Sequence, residues 1–285
     1  MGQVIATASN IMILSSMYIL VALGFSFLFN MLGLLNLAHG AIYMIGAYIA
    51  FILIAGLGFN HWLAFVAATV VVALLGVFLE RVCFRPFVGD FNRSVMICIA
   101  LTVFFQTTIN IMAGAKTLAL PPVAEGVLRF GPISLSHERI ITFAIGAVLL
   151  LGFILFVNKT KWGQQMQAIA QNTEGASLQG INVHRISAVA CFIGCGLAAL
   201  AGCLMGAFMG IGPFMGDLML VKVLMLVILA GVGSIGGIFI AGLLLGALNS
   251  VLPLLVNGAI SEAIAVAVVV VLLLIRPKGF FGHEA

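Results

Sequence analysis

The chain has 285 residues, of which 64% are hydrophobic and 7% are charged, with a mean hydropathy of +1.30 and a formal net charge of +4. A soluble domain usually carries about 25% charged residues, so this composition excludes a soluble globular protein. The basic residues are scattered rather than clustered, so no nucleic-acid partner is expected. Stretches without any charged residue are 1–79, 94–115, 140–158 and 186–216, and 223–275 carries only Glu262. The chain is therefore predicted to cross a lipid bilayer several times.

The apolar runs are continuous, which favours helices over a transmembrane barrel, whose strands alternate in polarity. A spanning helix needs about 20 apolar residues. In chain order the predicted spans are 11–31, 36–57, 62–80, 94–113, 139–157, 186–211, 219–233, 236–256 and 260–275. The sequence predicts an all-α polytopic membrane protein with about 8–9 transmembrane helices, forming a single transmembrane domain over 1–285. Broken or re-entrant segments are expected near 36–46 and 231–242.

Lys and Arg residues are enriched in cytoplasmic loops and so predict the orientation of the spans. Most of them lie in 81–93, 158–185 and 276–285, which are therefore predicted to be cytoplasmic, while 114–138 faces outward. Nine spans would then place the N-terminus outside. The longest polar stretches are 114–138 and 158–185, and neither contains a GxxxxGK[ST] nucleotide loop. Energy from ATP would therefore have to come from another chain.

The first informative segment, 35–48, carries polar residues inside an apolar run. Asn36, His39 and Tyr43 recur at spacings of three or four, so they share one face of a predicted helix. Gly40 removes a side chain from that face. Polar groups on a membrane helix should face the protein interior or a water-filled path. Hydrogen bonding between helices and direct contact with a transported solute are both consistent with this pattern.

The second informative segment, 231–242, divides the apolar tract 219–256, which is too long for one ordinary span. Each glycine weakens a helix by up to about 1 kcal/mol relative to alanine, so a break is expected here. Free N–H groups at the start of the following helix would suit a carboxylate, although close glycine packing explains the pattern equally well. The solute-path candidates in this segment are Gly233, Ser234, Gly236 and Gly237. Residues 40–46 and 236–242 also share a short pattern, as in the internal repeats of transporters.

The polar stretch 158–185 is predicted to hold two short helices joined by an elbow. Residues 164–171 can form an amphipathic helix, and Asn172 can cap a second helix with Glu174 in its first turn. Gly180 is a natural stop. The pattern indicates a docking knob for a partner protein, with a solvated loop as the alternative.

The remaining polar residues in apolar runs have simpler interpretations. Lys222 is expected to extend to the outer membrane interface, and Glu262 to serve as a cap or first-turn charge. Four of the five cysteines lie in apolar runs and are interpreted as small core residues. No residues show the spacing of a catalytic or metal site, so an enzyme is not expected.

Three segments together resemble one family. Glu174, Ala176 and Gly180 are spaced like the EAA–G coupling loop of bacterial ABC importer permeases, in which the residue at Gly175 is usually alanine. With the segments 35–48 and 276–282, this stretch resembles the smaller permease subunit of branched-chain amino acid ABC importers. The resemblance covers nearly the whole chain. It identifies the ATPase-coupling candidates as Asn172, Glu174, Gly175, Ala176 and Gly180.

The resemblance implies a multi-pass subunit of the bacterial cytoplasmic (inner) membrane with a cytoplasmic C-terminus. It implies a heterodimer with a second permease subunit, two cytoplasmic ATPases that bind ATP and Mg²⁺, and an extracytoplasmic solute-binding protein. No cofactor is expected in this chain. An ABC permease for urea or short amides, a passive small-solute channel and an ion-coupled transporter are the alternatives; only the first of these needs a coupling loop.

Overall fold

The computed structural model describes residues 2–33, 35–121, 123, 126–130, 133–231, 233–277 and 279–281. Helices dominate this part of the chain, and two of them continue into π-helical turns, Ile52–Gly56 and Glu80–Phe84. In chain order the elements are α1 (Gly2–Leu32), α2 (His39–Phe51), α3 (His61–Leu79), α4 (Phe91–Ala113), β1 (Val127–Phe130), β2 (Ile133–Ser136), α5 (His137–Lys159), α6 (Lys161–Gln171), α7 (Thr173–Leu178), α8 (Val183–Met209), α9 (Met215–Ala230), α10 (Ile235–Leu255) and α11 (Gly258–Ile275).

Among the described residues, 8 helical segments are long and apolar enough to cross a membrane. They are Ile5–Leu32, His39–Gly56, His61–Phe87, Phe91–Ala113, His137–Lys159, Val183–Met209, Ile235–Leu255 and Gly258–Ile275. The prediction of an all-α polytopic membrane protein is confirmed. The predicted span 219–233 corresponds to α9, which has 16 residues and is about 24 Å long, shorter than the roughly 30 Å hydrocarbon core.

One element was not expected from the sequence. Strands β1 and β2 pair antiparallel within the loop 114–138, with Val127 opposite Ser136 and Phe130 opposite Ile133. The apolar spans hide their backbone groups inside helices, whereas this loop lies outside them and can satisfy its groups by local pairing. The hairpin leaves the helical prediction for the spans unchanged.

The chain divides into two compact units, each assembled from segments that are distant in sequence. Unit 1 comprises Met1–Leu23, Pro122–Val148 and Val221–Ala285, and unit 2 comprises Gly24–Pro121 and Leu149–Leu220. The assignment of 1–285 to a single permease domain stays a prediction.

Unit 2 is built around α2, which packs against α3 and α8 and is buried along nearly all of its length. Small residues bring these backbones together. A side chain on Gly46 would overlap Ala199, and one on Gly202 would overlap the Tyr43 carbonyl oxygen. The Cys203 thiol also donates to the Gly46 carbonyl oxygen at 3.3 Å. Helices in lipid associate through such close packing and interhelical hydrogen bonds, which explains the abundance of glycine in the sequence.

Unit 1 uses the same kind of packing. A side chain on Gly246 of α10 would overlap the Ser15 hydroxyl of α1, and one on Gly146 of α5 would press on Met17. Helices α10 and α11 pack against each other as neighbours in the chain. These four glycines therefore mark places where helices of one unit meet.

Candidate functional site

Residues 35–38, which precede α2, form an irregular elbow that buries Asn36. This residue is 1% exposed, and its Oδ1 accepts the Ala38 N–H at 3.1 Å and the Cys98 thiol at 3.7 Å. Its Nδ2 has no hydrogen-bond partner among the described residues. A buried amide donor without a partner is costly, so Asn36 is a good candidate for contact with a solute or water.

The three other candidates of this segment begin α2. His39 is fully buried and packs edge-on against Phe25, with ring centroids 5.6 Å apart. A side chain on Gly40 would overlap the Gly216 carbonyl oxygen, and Tyr43 is 3% exposed. All three therefore lie inside the packed unit 2. The break expected near 36–46 lies before His39, from which α2 continues without interruption.

Helix α4 carries a polar stripe that was not among the predicted site residues. Residues 94, 98, 102, 106 and 110 are Ser, Cys, Thr, Gln and Asn. The Thr102 hydroxyl lies 3.2 Å from the Leu37 carbonyl oxygen, and the Gln106 amide donates to the Asp217 carboxylate. The stripe runs beside the Asn36 elbow. The repeat of polar residues every four positions was the signal that could have found it.

The predicted break in the second segment is present. Helix α9 ends at Ala230, and α10 begins at Ile235 after Ser234, whose hydroxyl oxygen accepts the Gly237 N–H at 3.0 Å. Gly233 has a φ of 88°, a left-handed conformation that favours glycine. The serine therefore uses one of the free N–H groups at the start of α10 as a helix cap.

The two remaining glycines of this segment differ in their surroundings. A side chain on Gly237 would overlap the Ala230 carbonyl oxygen, whereas Gly236 is exposed and has open space around it. Close packing thus requires glycine at position 237 and not at position 236. Segments 40–46 and 236–242 each begin at the second residue of a helix, so the two similar patterns occupy equivalent places.

Residues 279–281 bind the end of α9. The Phe280 N–H donates to the Leu229 carbonyl oxygen at 2.8 Å, and the Phe281 N–H to the Ala230 carbonyl oxygen at 3.2 Å. The last carbonyl groups of a helix lack partners within the helix, so the segment 279–281 caps α9 at the break. The sequence of this segment indicates a family resemblance but no contact with α9. Lys278 and Gly282 lie outside the described residues.

The predicted elbow of two short helices is present as α6 and α7. Thr160 caps α6 by accepting the Gly163 N–H at 3.1 Å, and Asn172 caps α7 by accepting the Gly175 N–H at 2.8 Å. Gly180 ends α7 with a φ of 82°. Residues within the elbow therefore determine where α6 and α7 begin and where α7 ends.

One face of the elbow is anchored and the other is exposed. Met166, Ile169 and Ala176 are buried, and both short helices pack against α8. Glu174 is exposed, and Leu178 at the tip is 84% exposed. Leu178 is not one of the residues that define the coupling motif, so the motif alone does not indicate it. Glu174 and Leu178 are four residues apart, so an acidic and an apolar side chain lie side by side on the exposed face of the elbow.

The expectation that Glu262 is a cap or first-turn charge is wrong, and the outer-interface position of Lys222 stays a prediction. The two side chains form an ion pair, with Lys222 Nζ 2.6 Å from Glu262 Oε1, and Lys222 Nζ lies 3.4 Å from the Tyr18 hydroxyl. Helix α11 begins at Gly258, so Glu262 lies beyond its first turn. The pair joins α9 to α11, because a lysine in an apolar helix is more stable beside a carboxylate than alone.

A family model described as "Branched-chain amino acid transport system / permease component" matches residues 7–275. The chain belongs to this permease family. It is 31% identical over 286 residues to the high-affinity branched-chain amino acid transport system permease protein LivH of Escherichia coli (strain K12), covering 95% of this chain and 92% of the relative. It is 32% identical over 290 residues to the corresponding protein BraD of Pseudomonas aeruginosa, covering 96% and 94%.

The fold also matches a solved structure described as PsaBC from Streptococcus pneumoniae in complex with Fab, with a TM-score of 0.52. The identity is 16%, and the match covers 95% of this chain and 92% of that chain, so this likeness bears on the fold alone. The family assignment makes the chain a multi-pass transport subunit that works with partner subunits, and not an enzyme.

Proposed function

We propose that this permease carries branched-chain amino acids, or similar hydrophobic amino acids, through an ATP-driven importer. The observation that carries the proposal is the match to permease components of branched-chain amino acid transport systems over nearly the full chain. An aliphatic side chain suits a path through spans that carry few charged residues, because an unpaired ion there would be expensive.

The elbow formed by α6 and α7 is proposed to receive a cytoplasmic ATPase. The candidate contacts are Asn172, Glu174, Gly175, Ala176 and Gly180, to which the exposed Leu178 is added. Ala176 is buried, so its role is to hold α7 against the rest of unit 2 rather than to touch the partner. Glu174 and Leu178 then supply the exposed surface. ATP and Mg²⁺ would bind to the partner subunits.

Two places are proposed to guide the solute. The first is the Asn36 elbow, where a buried Nδ2 donor has no partner among the described residues and would be available to a solute carboxylate. His39, Gly40 and Tyr43 hold the start of α2 beside it. The second is the break before α10, with Gly233, Ser234, Gly236 and Gly237. Gly236 offers open space at a helix start, where N–H groups favour an anion.

The complete importer is proposed to lie in the bacterial cytoplasmic membrane. It would contain this chain, a second permease, two ATPases and an extracytoplasmic binding protein. The C-terminus would be cytoplasmic, since the loops rich in Arg and Lys then face the cytoplasm.

Transport by the assembled complex in vesicles tests the proposal. ATP is supplied only on the ATPase side, ion gradients are collapsed, and labelled leucine is added with or without the binding protein. Leucine uptake should require both ATP and the binding protein. Labelled urea is the comparison solute: uptake of urea alone would overturn the substrate, and ATP-independent flux through this chain alone would instead identify a channel.

A further inference from the structure

A basic cavity lies in unit 2 where α3 ends and α8 begins, and none of the roles above uses it. Its volume is about 610 Å³. Arg81, Arg85, His184 and Arg185 line one part of it, and Val77 and Phe192 line another. The chain passes through the π-helical turn Glu80–Phe84 here, a local geometry often found at functional sites.

The positive charge of the cavity is only partly compensated. Arg85 forms two hydrogen bonds with the buried Glu80, at 3.0 and 2.8 Å, so this pair is neutral. Arg81 and Arg185 are exposed and make no ion pair within the described part of the chain. Arg185 is held over the Trp162 ring at 5.1 Å. Two cationic groups therefore remain available to an anion, and one of them is fixed in place.

The apolar part of the cavity lies deeper in the membrane-spanning segments. Val77 precedes Arg81 by one turn of the helix that enters this end, and Phe192 follows Arg185 by two turns of α8. Phe192 is 38% exposed, so its ring is open to the surroundings. The cavity is thus basic at the end of the spans and apolar toward their middle.

We propose that this cavity binds an anionic phospholipid. Its phosphate would lie between Arg81 and Arg185, and an acyl chain would follow Phe192. Phosphate is a preferred partner of arginine, and basic pockets between transmembrane helices are suited to anionic headgroups. An acidic segment of a cytoplasmic protein would fit the basic end but would leave the apolar wall, which lies within the spans, uncovered. The inference does not depend on the transported solute.

Native mass spectrometry of the purified permease complex tests this site. The complex is titrated with phosphatidylglycerol, with phosphatidylcholine and with inorganic phosphate. Phosphatidylglycerol should bind most tightly, and the double variant Arg81→Gln/Arg185→Gln should weaken it about 30-fold, because each basic residue near an anionic surface contributes about fivefold. Arg93→Gln is the matched control, since Arg93 is exposed and already paired with Asp90, and its binding should be unchanged.

Four results would overturn the inference. Equal affinity for the two lipids would remove the role of charge, and full binding by the double variant would place the lipid elsewhere. Displacement of phosphatidylglycerol by inorganic phosphate at equal concentration would identify a free-anion site. Recovery of the ATPase with the double variant is measured in parallel: loss of the ATPase while lipid binding persists would make these arginines a protein contact. Folding of each variant is checked by its elution profile in size-exclusion chromatography.

Discussion

Individual side chains at the coupling elbow can be ranked by their exposure. Leu178 is 84% exposed and Glu174 is exposed, whereas Ala176 is buried. Leu178→Asp should therefore weaken ATPase binding by about 2 kcal/mol, roughly 30-fold in Kd, because an apolar anchor becomes a charge at the interface. Glu174→Lys should also impair docking, through charge reversal.

Pull-down of the ATPase at matched membrane abundance measures both effects. Gln171→Asp is the control for Leu178→Asp, because Gln171 is exposed on the neighbouring helix α6 and the substitution introduces the same negative charge nearby. Normal ATPase recovery with both Leu178→Asp and Glu174→Lys would remove the elbow from the docking surface.

The ion pair between Lys222 and Glu262 gives a second prediction at this scale. Glu262→Gln should lower the stability of the permease by about 1–3 kcal/mol, because the lysine loses its partner in a partly buried setting. The double variant Lys222→Leu/Glu262→Leu should recover much of this loss. Thermal unfolding in detergent is the measurement. If the double variant were less stable than Glu262→Gln, the loss of stability would not come mainly from the unpaired charge of Lys222.

Among the elements, the break between α9 and α10 has a built-in comparison. Gly237→Ala would force the new methyl group onto the Ala230 carbonyl oxygen, at a cost of about 1–3 kcal/mol, whereas Gly236→Ala enters open space. Thermal stability in detergent should fall for Gly237→Ala and stay near wild type for Gly236→Ala. The two substitutions add the same methyl group to neighbouring residues of α10. Equal stability of the two variants would therefore mean that close packing at the break is unimportant.

The cap that the segment 279–281 forms on α9 can be tested through the N–H group of Phe280. Phe280→Pro removes the donor to the Leu229 carbonyl oxygen and should destabilise the permease by about 1 kcal/mol or more. Phe280→Leu keeps the donor and an apolar side chain and is the control. Thermal unfolding and uptake are compared at matched abundance. A loss of stability in the leucine variant as large as in the proline variant would assign the effect to the ring.

Elements governed by local chemistry were predictable from the sequence, and those governed by distant contacts were not. The Asn172 cap and the Gly180 stop follow from residues within one or two turns, so the elbow was predicted closely. The partners of Lys222 and of Phe280 are far away in the chain, and no local pattern indicates them. The burial of His39 could be expected from its apolar neighbours, but its contact with Phe25 could not.

At the scale of the whole molecule, the number of crossings depends on α9. Helix α8 leaves the predicted cytoplasmic loop 158–185, and α10 and α11 form two further crossings before the C-terminus. A cytoplasmic C-terminus therefore requires the chain to cross once between Met209 and Ile235, which only α9 can do. The bonds from the segment 279–281 to the end of α9 place that end on the same side as the C-terminus.

We accordingly predict nine crossings, although eight helices of the described chain are long enough by themselves. The N-terminus should be extracytoplasmic and the C-terminus cytoplasmic, because an odd number of crossings separates the two ends. Reporter fusions measure this directly: alkaline phosphatase is active only outside the cytoplasm, and a fluorescent protein that folds only in the cytoplasm complements it. An additional fusion in the loop 114–138, predicted to face outward, calibrates the reporters. Two termini on the same side would mean that α9 enters and leaves the membrane from one face, and that the permease has eight crossings.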